Sequence, residues 1–171
     1  AGPDARMTAP AATAGPDRKA AAPPASASAT FGVYVHWPFC SSKCPYCDFN
    51  SHVAEAVDQA RWARALVADL AHYAEDTSER IVTTVFFGGG TPSLMRPETV
   101  ATVIDGIKGL WSCAPGMEIS MEANPSSAEI AAFPDLKAAG VTRLSVGVQS
   151  FNDAALTALG RRHDAAAARR A

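Results

Sequence analysis

Short apolar runs alternate with longer amphipathic segments from Phe31 onward, and this alternation restricts the fold more than any other feature. The run 81–87 is almost unbroken in its apolar character and rich in β-branched and aromatic residues, as expected for a strand that is covered on both faces. A repeated order of strand and amphipathic helix is typical of βα units and a parallel sheet. The sequence therefore predicts an α/β fold, in which about four units form a partial barrel rather than a closed one.

The spacing of the apolar residues predicts where the elements lie. Strands are predicted at 32–36, 81–87, 117–122 and 143–148, and helices at 57–75, 97–109, 126–139 and 152–159. Trp62 and Tyr73 recur with leucines at spacings of three and four, which predicts that both face the core. Pro134 lacks a backbone donor and clashes with the preceding turn, so the third helix is predicted to be kinked or split.

The composition of the first thirty residues separates them from the rest. Ala, Pro, Ser and Gly dominate residues 1–30, which predicts a disordered leader ahead of one domain at 31–171. The last strand of an open sheet would lie uncovered at an edge, so this domain is expected to be incomplete at its C-terminal side. The leader lacks the apolar segment of a secretory signal, and no apolar run approaches the roughly 20 residues that span a bilayer. We expect a cytoplasmic protein without a transmembrane segment.

Three of the four cysteines, Cys40, Cys44 and Cys47, fall in the loop after the first predicted strand. Such crowding is typical of a metal site in a reducing compartment rather than of disulfides, and Cys113 stands apart as a packing residue. Four-iron clusters usually have four thiolate ligands, so three would leave one iron open to a ligand such as the amine and carboxylate of an amino acid.

Two other interpretations of the cysteine loop remain open. A structural zinc site would need a fourth ligand, for which His36 or His52 is available, although His36 is expected rather to take part in a hydrogen bond. A thioredoxin-type redox pair would use Cys44 and Cys47 and would leave Cys40 without a role.

Further polar or flexible groups follow the other strands. Three glycines, Gly88 to Gly90, let the backbone approach a ligand closely, and Glu122 and Gln149 end the third and fourth strands. Carboxyl ends of parallel strands form the binding crevice of α/β proteins. The net charge of −2, with no basic stripe, argues against nucleic acid as a partner.

Several motifs in one order resemble the anaerobic coproporphyrinogen oxidase family of radical S-adenosylmethionine (SAM) proteins, over about residues 31–163. They are Tyr34-Val-His-Trp-Pro-Phe-Cys40, Cys47-Asp-Phe-Asn-Ser51, Phe86-Phe-Gly-Gly-Gly-Thr-Pro-Ser-Leu94, Met121-Glu-Ala-Asn-Pro125, Leu144-Ser-Val-Gly-Val-Gln-Ser-Phe151 and Leu159-Gly-Arg-Arg-His163. The resemblance implies a partial barrel of the radical SAM type and a [4Fe-4S] cluster on Cys40, Cys44 and Cys47. It also implies a SAM site lined by Tyr34, Tyr46, Gly89, Gly90, Thr91, Glu122, Gln149 and Arg161.

Two functions remain open within this family, and whether the chain is an enzyme remains open with them. Its oxygen-independent coproporphyrinogen dehydrogenases carry a further cysteine two residues after the third ligand, whereas this chain has Phe49 there. The resemblance therefore favours the heme-chaperone branch, which binds the cluster and SAM and delivers heme to an acceptor. Heme or a porphyrinogen is the expected ligand of the full-length protein, the electron donor and the heme acceptor are not identified, and a radical SAM enzyme acting on RNA or a small metabolite is a third alternative.

Overall fold

The structure, a computed structural model, describes residues 30–171. The predicted leader, residues 1–30, lies outside the described residues except for Thr30. Strands are β1 (Phe31–Trp37), β2 (Phe39–Cys40), β3 (His52–Val53), β4 (Ile81–Gly89), β5 (Ser112–Ala123) and β6 (Arg143–Val146). Helices are α1 (Gln59–Ala74), α2 (Pro97–Leu110), α3 (Ser127–Ala138), α4 (Asp153–Ala158) and α5 (Ala165–Arg170), with a 3-10 turn at Pro92–Leu94.

Four long strands form one parallel sheet in the order β1-β4-β5-β6. This order confirms the predicted α/β fold of successive βα units, with β1 and β6 at the two edges. β5 is longer than predicted because its first residues pair with the start of β4 before a register shift near Thr84.

The core lies between one face of the sheet and helices α1, α2 and α3. Val35, Phe87 and Met121 are aligned across β1, β4 and β5 and are at most 3% exposed. Val100, Val103, Ile104 and Ile107 of α2 pack on this face. Since side chains alternate along a strand, the residues between these face the opposite side of the sheet.

That opposite side is partly open and carries polar groups. Tyr34, Phe86, Ser120 and Arg143 are aligned across the four strands, and the Tyr34 side chain is 58% exposed. Arg143 donates to Ser120 and forms an ion pair with Glu118 at 3.0 Å. The apolar face therefore supplies the core, and the opposite face carries the polar side chains.

Two local predictions about the helices are wrong. Tyr73 is 64% exposed, because Leu70 and Ala74 take the core positions of α1 and Tyr73 lies at the edge of that apolar stripe. α3 is one continuous helix across Pro134. Leu136, beyond the proline, is buried in the core, and this packing holds the second half of the helix in place.

A short parallel ladder between β2 and β3 closes the cysteine loop and has no counterpart in the sequence prediction. Phe39 pairs with His52, and Cys40 pairs with Val53. The His52 amide donates to Pro38 O at 2.7 Å, and the Ala54 amide donates to Cys40 O at 3.2 Å. The two ends of the cysteine loop are thus joined to each other by this two-stranded ladder.

Within residues 30–171, no helix has the length and apolar character needed to cross a membrane.

Candidate functional site

A cavity of about 790 Å³ lies where β4, β5 and β6 end and the cysteine loop begins. This is the edge of a parallel sheet at which α/β proteins bind their ligands. The predicted site residues that line it are Cys40, Cys44, Tyr46, Cys47, Gly90, Thr91, Glu122, Gln149 and Arg161. Segments that are distant in the sequence therefore meet around one cavity.

Each of the three loop cysteines has a polar neighbour. Thr91 Oγ1 donates to Cys40 Sγ at 3.5 Å, and Arg161 Nη1 donates to Cys44 Sγ at 3.4 Å. Cys47 Sγ lies 3.9 Å from Ser51 Oγ. These contacts hold the three sulfur atoms in place at the cavity.

The glycine segment approaches the cysteine loop too closely for any side chain at Gly90. The Gly90 amide donates to Trp37 O at 2.7 Å, and the next amide, of Thr91, donates to Phe39 O at 2.8 Å. A Cβ added at Gly90 would lie 2.7 Å from Phe39 O and 3.0 Å from Cys40 Sγ. Only glycine fits in this space, so the backbone at Gly90 lies directly beside Cys40.

Glu122 connects the cavity to two predicted residues that do not line it. Its carboxylate accepts the Gly89 amide at 3.2 Å. Burial is the main cause that raises the pKa of the Tyr34 phenol above its usual value, and the Glu122 charge raises it further. Gly89 thus lies next to Glu122, and Tyr34 lies on the partly open face of the sheet, outside the cavity lining.

Arg161 holds together the far side of the cavity. Nη2 donates to Asn124 Oδ1 and to Gly147 O, both at 2.7 Å, and Nη1 donates to Tyr46 as well as to Cys44. Burial raises the pKa of the Tyr46 phenol, while the positive charge of Arg161 opposes this shift. Nε of Arg161 is buried and has no hydrogen-bond partner among the described residues.

Gln149 has a strained backbone. Its φ of 65° lies in the left-handed region that side-chain-bearing residues rarely adopt, and it lines the cavity directly after β6. Such strain costs on the order of 1–3 kcal/mol and is concentrated at functional sites. The conformation is consistent with a contact role for Gln149.

Sequence reasoning missed Glu129 and assigned no role to Asn124, although both line the cavity. Glu129 is 7% exposed and accepts hydrogen bonds from Ser93, the Asn124 amide and Ser126. The spacing of Ser126 and Glu129 at the start of a helix is the signature of a capping box, and this signal could have singled them out.

The cavity brings together the three thiols that a cluster with one open iron would use. Among residues 30–171, no three His, Cys, Asp or Glu side chains converge closely enough to hold one metal ion. A structural zinc site would need a fourth protein ligand. His36, one candidate for it, bonds through Nε2 to Asn50 O at 2.9 Å.

One donor at the cavity has no partner in the described chain. This donor is the buried Nε of Arg161, and Gly90 brings backbone without a side chain up to Cys40. A polar ligand with anionic groups would satisfy such a donor. These features fit SAM, whose amino acid part carries a carboxylate.

The parallel sheet and the cysteine-lined cavity at its carboxyl edge define a class of protein that sequence comparison identifies independently. Residues 34–171 match the radical SAM superfamily, and this chain belongs to it.

Its relatives include proteins of known name. It is 44% identical over 140 residues to the heme chaperone HemW of Escherichia coli K12, covering 81% of this chain and 37% of that protein. It is also 44% identical over 133 residues to the bovine radical S-adenosyl methionine domain-containing protein 1, mitochondrial, covering 78% of this chain and 30% of that protein. The solved structure of the radical SAM enzyme HemN, the coproporphyrinogen III oxidase of E. coli, superposes with a TM-score of 0.69 at 30% identity. The match covers 79% of this chain and 31% of that chain. The chain spans about a third of the length of these relatives.

Proposed function

We propose that the protein is a heme chaperone of the HemW type, which binds a [4Fe-4S] cluster through Cys40, Cys44 and Cys47, binds SAM beside it and delivers heme to an acceptor. The observation that carries this proposal is the end of the cysteine loop. Phe49 stands where dehydrogenases of the family have a further cysteine, and its 58% exposed side chain lines the cavity. A phenyl group offers neither a metal ligand nor a hydrogen donor.

The contacts around the cavity support a division of roles among the residues. The three thiolates would hold the cluster, and Arg161 and Thr91 would hold two of the sulfur atoms in position through their hydrogen bonds. Gly89, Gly90, Thr91, Tyr34, Tyr46, Glu122, Gln149 and Arg161 would form the SAM site. When bound, the cluster and SAM supply the one-electron reductive chemistry of this superfamily. The chain itself orients the ligand and keeps water away.

An oxygen-independent coproporphyrinogen dehydrogenase is the alternative, and the structural likeness to HemN favours it. This reaction would need a porphyrinogen on the open face of the sheet. Both functions use the same cofactors and the same tetrapyrrole chemistry, so the cavity alone does not separate them.

A cytoplasmic location is part of the proposal, because the free cysteines need a reducing compartment. Cell fractionation with antibodies against the chain tests it, and accumulation in an oxidising compartment would contradict it.

The first experiment tests the cluster on the full chain under anaerobic conditions. Reconstitution should give about four irons per chain, and Cys40→Ala should lose them. Cys113→Ala is the matched control, since Cys113 lies on β5 away from the cavity, and it should retain the iron. A zinc-containing protein, or a cluster whose spectrum does not respond to SAM, would contradict the proposal.

The second experiment separates the carrier from the dehydrogenase. The reconstituted protein is titrated with heme and, in parallel, incubated with coproporphyrinogen and a reductant. Heme binding without turnover supports the chaperone. Turnover without heme affinity would establish the dehydrogenase instead.

A further inference from the structure

Glu129 is a buried carboxylate between two loops, one of which contacts Cys40 directly while the other contacts Arg161, a partner of Cys44. Its Oε2 accepts hydrogen bonds from the Ser93 hydroxyl, in the turn after the glycines, and from the Asn124 amide at 2.8 Å, after β5. Its Oε1 accepts from Ser126 at 3.1 Å. Hydrogen bonds to a charged acceptor are among the strong ones, so the carboxylate fixes both loops.

Helix capping does not account for these contacts. In a capping box the third helical residue reaches back to the amide of the N-cap residue, here Ser126. Glu129 instead bonds to the amide of Asn124, two residues earlier, and to Ser93, thirty-six positions away. The Ser126 hydroxyl meanwhile accepts the Glu129 amide at 3.3 Å and so performs the cap by itself.

Two paths lead from Glu129 to the thiols, each made of hydrogen bonds and of the backbone that joins them. On one side Asn124 Oδ1 accepts from Arg161, which donates to Cys44 Sγ. On the other side Ser93 belongs to the same short turn as Thr91, which donates to Cys40 Sγ. Loss of the carboxylate would leave the donors of Ser93 and Asn124 buried and unpaired, and both loops would be free to move.

We propose that Glu129 is a positioning residue: it fixes Asn124 and Ser93 so that Arg161 and Thr91 are presented to Cys44, Cys40 and the bound SAM. This role rests on the proposed cluster and SAM site. Hydrogen bonds to the sulfurs tune an iron–sulfur cluster, so Glu129 influences the cluster without touching it.

Glu129→Gln in the full chain tests this role, because glutamine keeps the shape and removes the negative charge that strengthens the hydrogen bonds from Ser93 and Asn124. The variant should hold as much iron as the wild type, bind SAM about tenfold more weakly, and show an altered electron paramagnetic resonance spectrum when saturated with SAM. Unchanged SAM affinity and an unchanged spectrum at full iron content would overturn the proposal.

Ala131→Gly is the matched control, since it weakens α3 at an exposed position outside the cavity and leaves every contact of Glu129 in place. It should unfold at lower urea concentration and keep the SAM affinity and spectrum of the wild type. An equal loss of SAM affinity in Ala131→Gly would mean that Glu129 acts through the helix alone, and this too would overturn the proposal. If Glu129→Gln fails to fold, Asn124→Ala, which cuts the path to Arg161, takes its place with the same expected loss.

A failure of the proposed function is distinguishable from a failure of this role. Absence of a SAM-responsive cluster in the wild type would end the proposed function. The positioning role would then be judged in the metal-free protein by a double-mutant cycle of Glu129→Gln and Arg161→Lys in urea unfolding. Non-additive effects support the link, and additive effects refute it.

Discussion

Replacing Gly90 by alanine tests whether the close approach of the glycine segment to the cysteine loop is a steric requirement. The new Cβ would meet Phe39 O at 2.7 Å, the Phe39 carbonyl carbon at 2.9 Å and Cys40 Sγ at 3.0 Å. Gly90 is not among the residues with positive φ, so alanine fits the backbone conformation and the cost is one of space. Two of the three contacts are backbone atoms, which cannot rotate away.

The expected size follows from two opposing effects. Overpacking of this kind costs about 1–3 kcal/mol, whereas a Gly→Ala change stabilises by about 0.4–1 kcal/mol through the unfolded chain. The free energy of unfolding should therefore fall by about 1.3 kcal/mol, the difference of the two midpoints, and by at most about 2.6 kcal/mol. Displacement of Cys40 should also lower the iron content after reconstitution.

Gly109→Ala provides the control for the same chemical change. Gly109 lies in α2, and an added Cβ there would meet nothing within 4 Å. This variant should be more stable than the wild type by about 0.5–1 kcal/mol and hold full iron. Urea unfolding and iron analysis of both variants provide the measurement. Equal stability of the two alanine variants, with full iron in Gly90→Ala, would refute the steric argument.

Four further outcomes are expected. Glu122→Gln should lower the pKa of Tyr34 toward its usual value without reaching it, because burial remains the main cause of the rise. Ultraviolet titration of the phenolate measures this pKa, with Tyr34→Phe to assign the signal, and an unchanged pKa would contradict the prediction. In the wild type, the raised pKa of Tyr34 means that stability is lost as the pH rises from about 10 through the folded pKa, and Tyr34→Phe should show less of this loss. Arg161→Lys keeps the positive charge but loses the planar guanidinium that bonds to Asn124, Gly147 and Cys44. Calorimetry should therefore show about tenfold weaker SAM binding, and wild-type affinity would contradict this prediction. Phe87→Ala should reduce the free energy of unfolding by about 3–5 kcal/mol, since Phe87 is fully buried; a loss below 1 kcal/mol would contradict the described core.

The sheet could be predicted from the sequence because its signals are local. The run 81–87 has the apolar character of a strand covered on both faces, and the structure places it in the interior of the sheet. The bounds of α1 and α2 differ from the predicted ones by a few residues. Pro134 and Tyr73 were misjudged because the packing of Leu136 and Ala74 against the sheet decides both positions, and such packing is not visible in one segment.

The candidate site was predictable only where residue type and strand ends point to chemistry. Cys40, Glu122 and Gln149 could be placed at one edge by the rule that the ends of parallel strands meet. Glu129 could not, because its partners Ser93 and Asn124 come from two loops whose proximity depends on the folded sheet. That all these residues serve a cluster and SAM stays a prediction until metal and ligand are measured.

The ladder between β2 and β3 has a consequence for the order in which the protein matures. In zinc fingers the metal has to draw the chain together, so folding and metal uptake are one event. Here the backbone pairs of Phe39 and Cys40 with His52 and Val53 already bring the two ends of the loop side by side. Iron and sulfide of the proposed cluster would then meet a cysteine loop whose two ends are already paired, so metal uptake would need less ordering of this segment than in a zinc finger.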